Sequence, residues 1–187
     1  GACLTACQVD NATTACALGV CGIDTCVTGF ADCNTTYGDG CEANLMADVA
    51  TCGNCNTTCV VANGAPSCET GACAVDTCTA PFADCNMQYG DGCEVDTSTN
   101  AASCGACGES CAPTNGLGAC VNSACTVASC TDPFADCNML VADGCEVDTS
   151  TNAAHCNGCN AACSATNAAV ACVSSACQIS MCTEGFA

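Results

Sequence analysis

Lysine and arginine are absent from this chain, tryptophan is absent too, and only one histidine occurs in 187 residues. Without a cationic side chain there is no clamp for phosphate, which argues against nucleic-acid binding and against attachment to an anionic membrane surface. Ion pairs between side chains are excluded, so the carboxylates must be solvated, bonded to backbone N–H groups, or bound to cations. Trypsin finds no cleavage site. Large apolar side chains are also scarce: there are 4 Phe and 2 Tyr, and the apolar fraction is mostly Ala, Cys and Val. A conventional core needs Leu, Ile, Phe and Met to bury enough area. No apolar run is long enough to span a bilayer as a helix, and no signal peptide is visible, so a leader is expected to lie outside this sequence or to have been removed.

Cysteine is abundant instead, with 29 residues, and acidic residues bring the formal charge to −19. So many thiols point to an oxidising compartment and to disulfides that replace much of a hydrophobic core. The expected location is extracellular or at the cell surface.

Cys26, Cys78, Cys130 and Cys182 lie 52 residues apart, and the other cysteines keep the same step. One complete unit holds Cys26, Cys33, Cys41, Cys52, Cys55, Cys59, Cys68 and Cys73. The four phenylalanines, Phe30, Phe82, Phe134 and Phe186, keep this phase, as do the Asp-Gly-Cys triplets that begin at Asp39, Asp91 and Asp143. The chain therefore divides into a partial repeat (1–25), repeats at 26–77, 78–129 and 130–181, and the start of a further one (182–187). Absence of insertions suggests that each unit packs on its neighbour in the same way. The predicted fold is one of small disulfide-rich repeats, mostly loops with short β-hairpins and little helix, stacked as a linear rod. Beginning and ending within a repeat is expected of a window onto a longer array, or of a subunit whose ends complete each other head to tail.

Within a unit, the segment from Phe82 to Glu94 is rich in Asn, Asp and Gly and reads as tight turns. The following Thr97–Asn100 run, repeated at Thr149–Asn152, is suited to cap a single helical turn. The spacing of Cys104, Cys107 and Cys111 suits another short helical turn. Each unit ends in a β-hairpin with a two-residue turn at Thr70-Gly71, Asn122-Ser123 or Ser174-Ser175. This register sets Cys68 opposite Cys73, Cys120 opposite Cys125, and Cys172 opposite Cys177. These cysteines either bond across the hairpin or leave one face and pair with other elements. Eight cysteines allow on the order of a hundred pairings, so connectivity is not readable. If every unit closes on itself, the orphan of the odd count is Cys182; if pairing runs backward into the previous unit, it lies in the opening segment.

Three kinds of site are suggested. A calcium set would use Asp84, Asn86, Asp91, Glu94 and Asp96, repeated at Asp136, Asn138, Asp143, Glu146 and Asp148. The same side chains are equally of the type that caps backbone N–H groups in turns, and their spacing is not that of an EF-hand. Asn44 replaces the last Asp in the first repeat. Asn11, Asn34 and Asn56 stand in glycosylation sequons. Zinc suits the Cys-x-x-Cys spacing, but four ligands and a reducing setting are then required. Catalysis has few players: His155 is matched by Ser103 and Thr51 in the other repeats, and reads as an exposed side chain without a repeated role. The chain is expected to be no enzyme and to need no cofactor beyond the calcium candidate.

The phrases GFADCN, DGCEVDTSTN and SCGACGESC, followed by the GACVNSAC hairpin, resemble a repeat of long secreted cysteine-rich proteins of myxobacteria and related environmental bacteria. The cysteine-rich half is distantly similar to the stigma-specific cysteine-rich proteins of plants. The resemblance covers essentially the whole chain and implies an extracellular or surface location in large modular proteins. The function expected from the whole reading is an extracellular structural array forming a filament, fibre or stalk. The alternative is a surface adhesin presenting loops to glycans or cations. Self-association, head to tail or lateral, is the expected partnership.

Overall fold

The computed structural model describes residues 6–186. The chain forms two compact units, divided in sequence between Glu94 and Val95. The first contains β1 (Ala12–Ala17), β2 (Val20–Cys26), β3 (Phe30–Ala31), one 3-10 turn (Tyr37–Asp39), β4 (Ala43–Asn44), β5 (Gly64–Glu69), β6 (Ala72–Cys78) and β7 (Phe82–Ala83). The second contains β8 (Val95–Asp96), β9 (Gly116–Val121), β10 (Ala124–Cys130), β11 (Phe134–Ala135), β12 (Val147–Asp148), β13 (Ala168–Val173) and β14 (Ala176–Cys182). The predicted class of disulfide-rich tandem repeats with short hairpins and almost no helix is what forms.

The dominant element is the hairpin, present as β1–β2, β5–β6, β9–β10 and β13–β14. Its two-residue turns adopt positive φ, as at Thr70 (51°) with Gly71 (81°) and at Asn122 (50°) with Ser123 (62°). Such turns match the right-handed twist of the strands they join. The predicted register holds, with Cys68 opposite Cys73, Cys120 opposite Cys125, and Cys172 opposite Cys177. Each hairpin carries a register shift beyond these pairs, for example between Ala65 and Pro66.

A disulfide across the hairpin does not form. Opposed cysteines bond instead to loops on the same side: Cys68 to Cys52 and Cys73 to Cys59. The same holds for Cys120 to Cys104, Cys125 to Cys111, Cys172 to Cys156 and Cys177 to Cys163. The hairpin thus anchors two disulfides that tie down the preceding loop. Two further bonds complete the first repeat, Cys26–Cys41 and Cys33–Cys55. The third repeat does likewise with Cys130–Cys145 and Cys137–Cys159. In the opening segment Cys7 bonds Cys21 in the phase of Cys59–Cys73, while Cys3 lies outside the described residues. Repeats 1 and 3 therefore close on themselves, and Cys182 is the free, exposed cysteine among the described residues.

The cysteine-rich loops are bends and turns: the Thr97–Asn100 run closes a single turn that does not continue into a helix, and the turn expected at Cys104–Cys111 does not form. Around Asp96 the chain turns through Asn100 N–H to Asp96 O at 3.1 Å, and Cys104 N–H closes a loop onto Glu109 O at 2.7 Å. Disulfides at both ends of these short segments fix the path before a helical turn can propagate, and a nucleus of one turn has little stability of its own. The core is largely sulfur: Cys41, Cys93 and Cys145 are fully buried, and Cys104, Cys111 and Cys120 form one buried cluster.

The bonds span 14 to 22 residues, as in Cys59–Cys73 and Cys33–Cys55. Closing a loop of that size removes about 3 kcal/mol of unfolded-chain entropy in the loop-closure picture, although overlapping loops do not add. The loops of repeat 1 overlap in series from Cys26 to Cys73, so every peptide bond in that interval is bridged. Cleavage by a Glu-specific protease after Glu42 or Glu69 is therefore expected to release no piece at these bonds until the disulfides are reduced. Separation of those pieces on a non-reducing gel would contradict this connectivity.

Candidate metal-ligand and interaction sites

The candidate calcium ligands lie in turns, where their side-chain oxygens accept hydrogen bonds from nearby backbone N–H groups or from Asn and Ser side chains. Asp84 Oδ1 accepts Met87 N–H at 2.6 Å, and Glu94 Oε1 accepts Cys85 N–H at 3.1 Å. Asn86 Oδ1 accepts Gln88 N–H at 2.8 Å, while its Nδ2 donates to Asp91 Oδ2 at 2.8 Å. Asp96 Oδ1 accepts both the N–H and the hydroxyl of Ser98, at 2.8 and 2.6 Å. The other set repeats this: Asp136 with Met139 N–H, Asn138 with Leu140 N–H and Asp143, Glu146 with Cys137 N–H, and Asp148 with Ser150.

These are Asx turns and loop closures, the arrangement expected of Asp and Asn in turn chemistry. The first repeat provides an internal control. Asn44 stands where Asp96 and Asp148 stand, and its Oδ1 accepts Met46 N–H at 3.0 Å. Carbonyl geometry rather than negative charge is the shared requirement there. Repeat 1 departs at Asp32, whose Oδ1 is buried without a partner, whereas Asp84 and Asp136 use that atom to hold the next loop.

The thiolate-metal alternative can be placed as well. Three sulfurs lie within 4.8 Å of one another in Cys52/Cys59/Cys73, in Cys104/Cys111/Cys125 and in Cys156/Cys163/Cys177. Each group joins two neighbouring disulfides, so its sulfurs are bonded to carbon and sulfur and are not thiolates. Zinc requires the deprotonated thiol.

Of the sequon asparagines, Asn11 donates Nδ2 to Cys41 O at 3.3 Å and has φ of 51°. Its counterparts Asn63 and Asn115 make the same bond to Cys93 O and Cys145 O, at 3.1 and 3.2 Å, in contexts that are not sequons. The repeated role of this asparagine is therefore a structural bond. Asn34 Nδ2 donates to Asp39 Oδ2 at 2.8 Å, while Asn56 is exposed, with its backbone N–H held by Asn54 Oδ1 at 2.9 Å.

His155 has a role that its uneven phase partners conceal. It is half-buried, and its Nδ1 accepts Asn160 N–H at 2.9 Å. Ser103 Oγ accepts Gly108 N–H, at the same phase, at 3.1 Å. In repeat 1 Asn54 serves this N–H, and Thr51 Oγ1 is left buried without a partner. An imidazole and a hydroxyl share the one property the loop needs, an acceptor.

An open recess of about 330 Å³ lies beside β6, lined by Cys73, Ala74, Val75, Asp84, Met87 and Tyr89. Tyr89 hydroxyl also accepts Val60 N–H at 2.8 Å. Met87 and, at the equivalent position, Met139 are 91% and 87% exposed at loop tips with positive φ. No helix among the described residues is long and apolar enough to cross a membrane. Comparison with protein-family models, curated proteins and solved structures finds no match.

The bonds from Ser150 hydroxyl and N–H hold the Asp148 carboxyl below the ordinary aspartate value, with Ser98 doing the same for Asp96. A depressed folded value means that the contribution is present above the unfolded pKa of about 3.9 and is lost as pH falls through the lower folded value. Ser150→Ala is expected to raise the Asp148 titration toward the ordinary value in an NMR carboxyl titration. Asp148→Asn should keep the turn, as Asn44 does, and abolish its pH dependence. An unchanged Asp148 titration in Ser150→Ala would refute the assigned cause.

Proposed function

We propose that this chain is an extracellular structural protein whose disulfide-stabilised repeats form a filament, fibre or stalk, and that it acts without catalysis. The observation that carries this reading is the recurrence of one contact from repeat to repeat. Three hairpins, β1–β2, β5–β6 and β9–β10, receive the Gly-Cys-Glu segment that follows them through the same disulfide and the same two hydrogen bonds, as in Cys26–Cys41 with Asp10 and Asn11. Serial repetition of one joint is the design principle of repeat proteins, whose stability is a sum of local and neighbour terms. Oxidising conditions are required for such bonding, which supports an extracellular or surface location. The one histidine accepts a backbone N–H, and several carboxylates, among them Asp84, Asp96, Asp136 and Asp148, cap turns, which supports a structural role for these side chains. The resemblance to secreted cysteine-rich bacterial repeats points the same way.

A second reading, a surface adhesin that presents loops to glycans or cations, is favoured by the recess beside β6 and by exposed Met87 and Met139. Aromatic and apolar side chains beside a carboxylate suit the face and hydroxyls of a sugar. Electron microscopy of the native material, with and without reductant, separates the two. Ordered fibres that come apart on reduction support the structural reading; discrete particles that assemble under no native condition would contradict it.

A further inference from the structure

Each complete repeat brings two disulfides side by side. In repeat 1 they are Cys52–Cys68 and Cys59–Cys73, and the sulfurs of Cys52, Cys59 and Cys73 all lie within 4.8 Å of one another. The grouping recurs as Cys104/Cys111/Cys125 and Cys156/Cys163/Cys177. The fourth sulfur of the repeat 1 set belongs to Cys68, which stands opposite Cys73 in the hairpin. Opposed residues of an antiparallel pair have Cα atoms about 4.5 to 5.5 Å apart, inside the span of a disulfide. Four sulfurs are therefore placed for two pairings. The one that forms ties the loop to the hairpin. The other, Cys68–Cys73 with Cys52–Cys59, would release it.

In repeat 1 this group adjoins the recess beside β6. Cys73 is one of the lining residues and is half-buried, whereas its partner Cys59 and neighbouring Cys52 are buried. Solvent therefore reaches the Cys59–Cys73 bond from the Cys73 side. Access and the choice of attacked sulfur help to set the rate of thiol–disulfide exchange. Asp84 lines the same recess, and its Oδ1 accepts Met87 N–H. No Lys or Arg exists in the chain to offset that carboxylate. The field at the recess thus favours a neutral or cationic reagent over an anionic one.

We propose that the Cys59–Cys73 bond is a thiol–disulfide exchange site, entered through the recess by a small neutral or cationic thiol and coupled to a change of pairing. The small thiolate attacks Cys73 Sγ; a mixed disulfide forms there and Cys59 leaves as thiolate. Cys59 attacks the neighbouring Cys52 Sγ; Cys52–Cys59 forms and Cys68 leaves as thiolate. Cys68 attacks Cys73 across the hairpin; Cys68–Cys73 forms and the small thiol leaves as thiolate. Two protein disulfides break and two form, the small thiol is returned, and no oxidant is consumed. The segment 52–59 passes from two bonds with the hairpin to none, while Cys33–Cys55 still holds it. Exchange at this site goes beyond the structural reading and does not require the chain to assemble.

The test uses the full oxidised chain carrying Cys182→Ser, which removes a competing thiol, with cysteamine as the probe. Samples are quenched with N-ethylmaleimide after increasing times. Molecules bearing one cysteamine and one maleimide are selected by mass, and tandem mass spectrometry of Glu-specific digests locates both. Cysteamine is expected on Cys73, with maleimide first on Cys59 and then on Cys68, the Cys68 share reaching at least about one tenth of the Cys59 share. In molecules opened at Cys33–Cys55, which belongs to no three-sulfur group among the described residues, maleimide should stay on that bond's own cysteines. The anionic thiol 2-mercaptoethanesulfonate should modify Cys73 at least about tenfold more slowly than cysteamine. Asp84→Asn, which keeps an acceptor for Met87 N–H, should narrow that ratio. Maleimide confined to Cys59 at all times, or a ratio indifferent to Asp84→Asn, would overturn the proposal.

Discussion

Covalent closure of short loops is the constraint on which this structure depends. A two-stranded hairpin is marginal in water, and the loops between hairpins have almost no apolar side chains to bury. The sulfur bridges supply what both lack. Because Cys68 and Cys73 share one hairpin and reach Cys52 and Cys59, a single rigid turn fixes two loop anchors. The following joint, Cys78–Cys93 with its bonds to Ala62 and Asn63, then fixes the entry of the next segment. Once the anchors are set, Asx turns and glutamate side chains satisfy the remaining backbone donors, as Glu42 does for Cys33 N–H at 3.0 Å.

This explains how a chain with a formal charge of −19 and no cationic side chain folds without ion pairs. Its carboxylates act as hydrogen-bond acceptors at the surface, where water screens their mutual repulsion. The disulfides do not depend on charge at all. Bonds of this kind persist in an oxidising setting, such as the outside of a cell.

The period, the hairpins and their register were legible because each leaves a local mark: a fixed step, alternating strands, and a two-residue turn between paired cysteines. The orphan status of Cys182 followed from parity once each unit closes on itself. The partners of Cys68 and Cys73 were not legible, because a register that sets two sulfurs opposite each other also sets both on one face, free to reach elsewhere. The run at Thr97 closes one turn and stops there, and around Cys104, where spacing also suited a helical turn, loop closure overrode it. Oxygen donors such as Asp84 and Asp96 carry no signal that separates a cation ligand from a backbone cap. The role of His155 was concealed because Ser103 shares its acceptor chemistry and not its identity, while repeat 1 solves the same problem with Asn54.

The most direct test of the central claim is far-UV circular dichroism of the fully reduced and alkylated chain beside the oxidised protein. If disulfides stand in for the core, the hairpin signal is lost on reduction even under the mildest buffer conditions, and it returns when unblocked reduced chain is reoxidised. Retention of the hairpin signal in the alkylated chain would show that packing alone holds the fold, and would contradict the account.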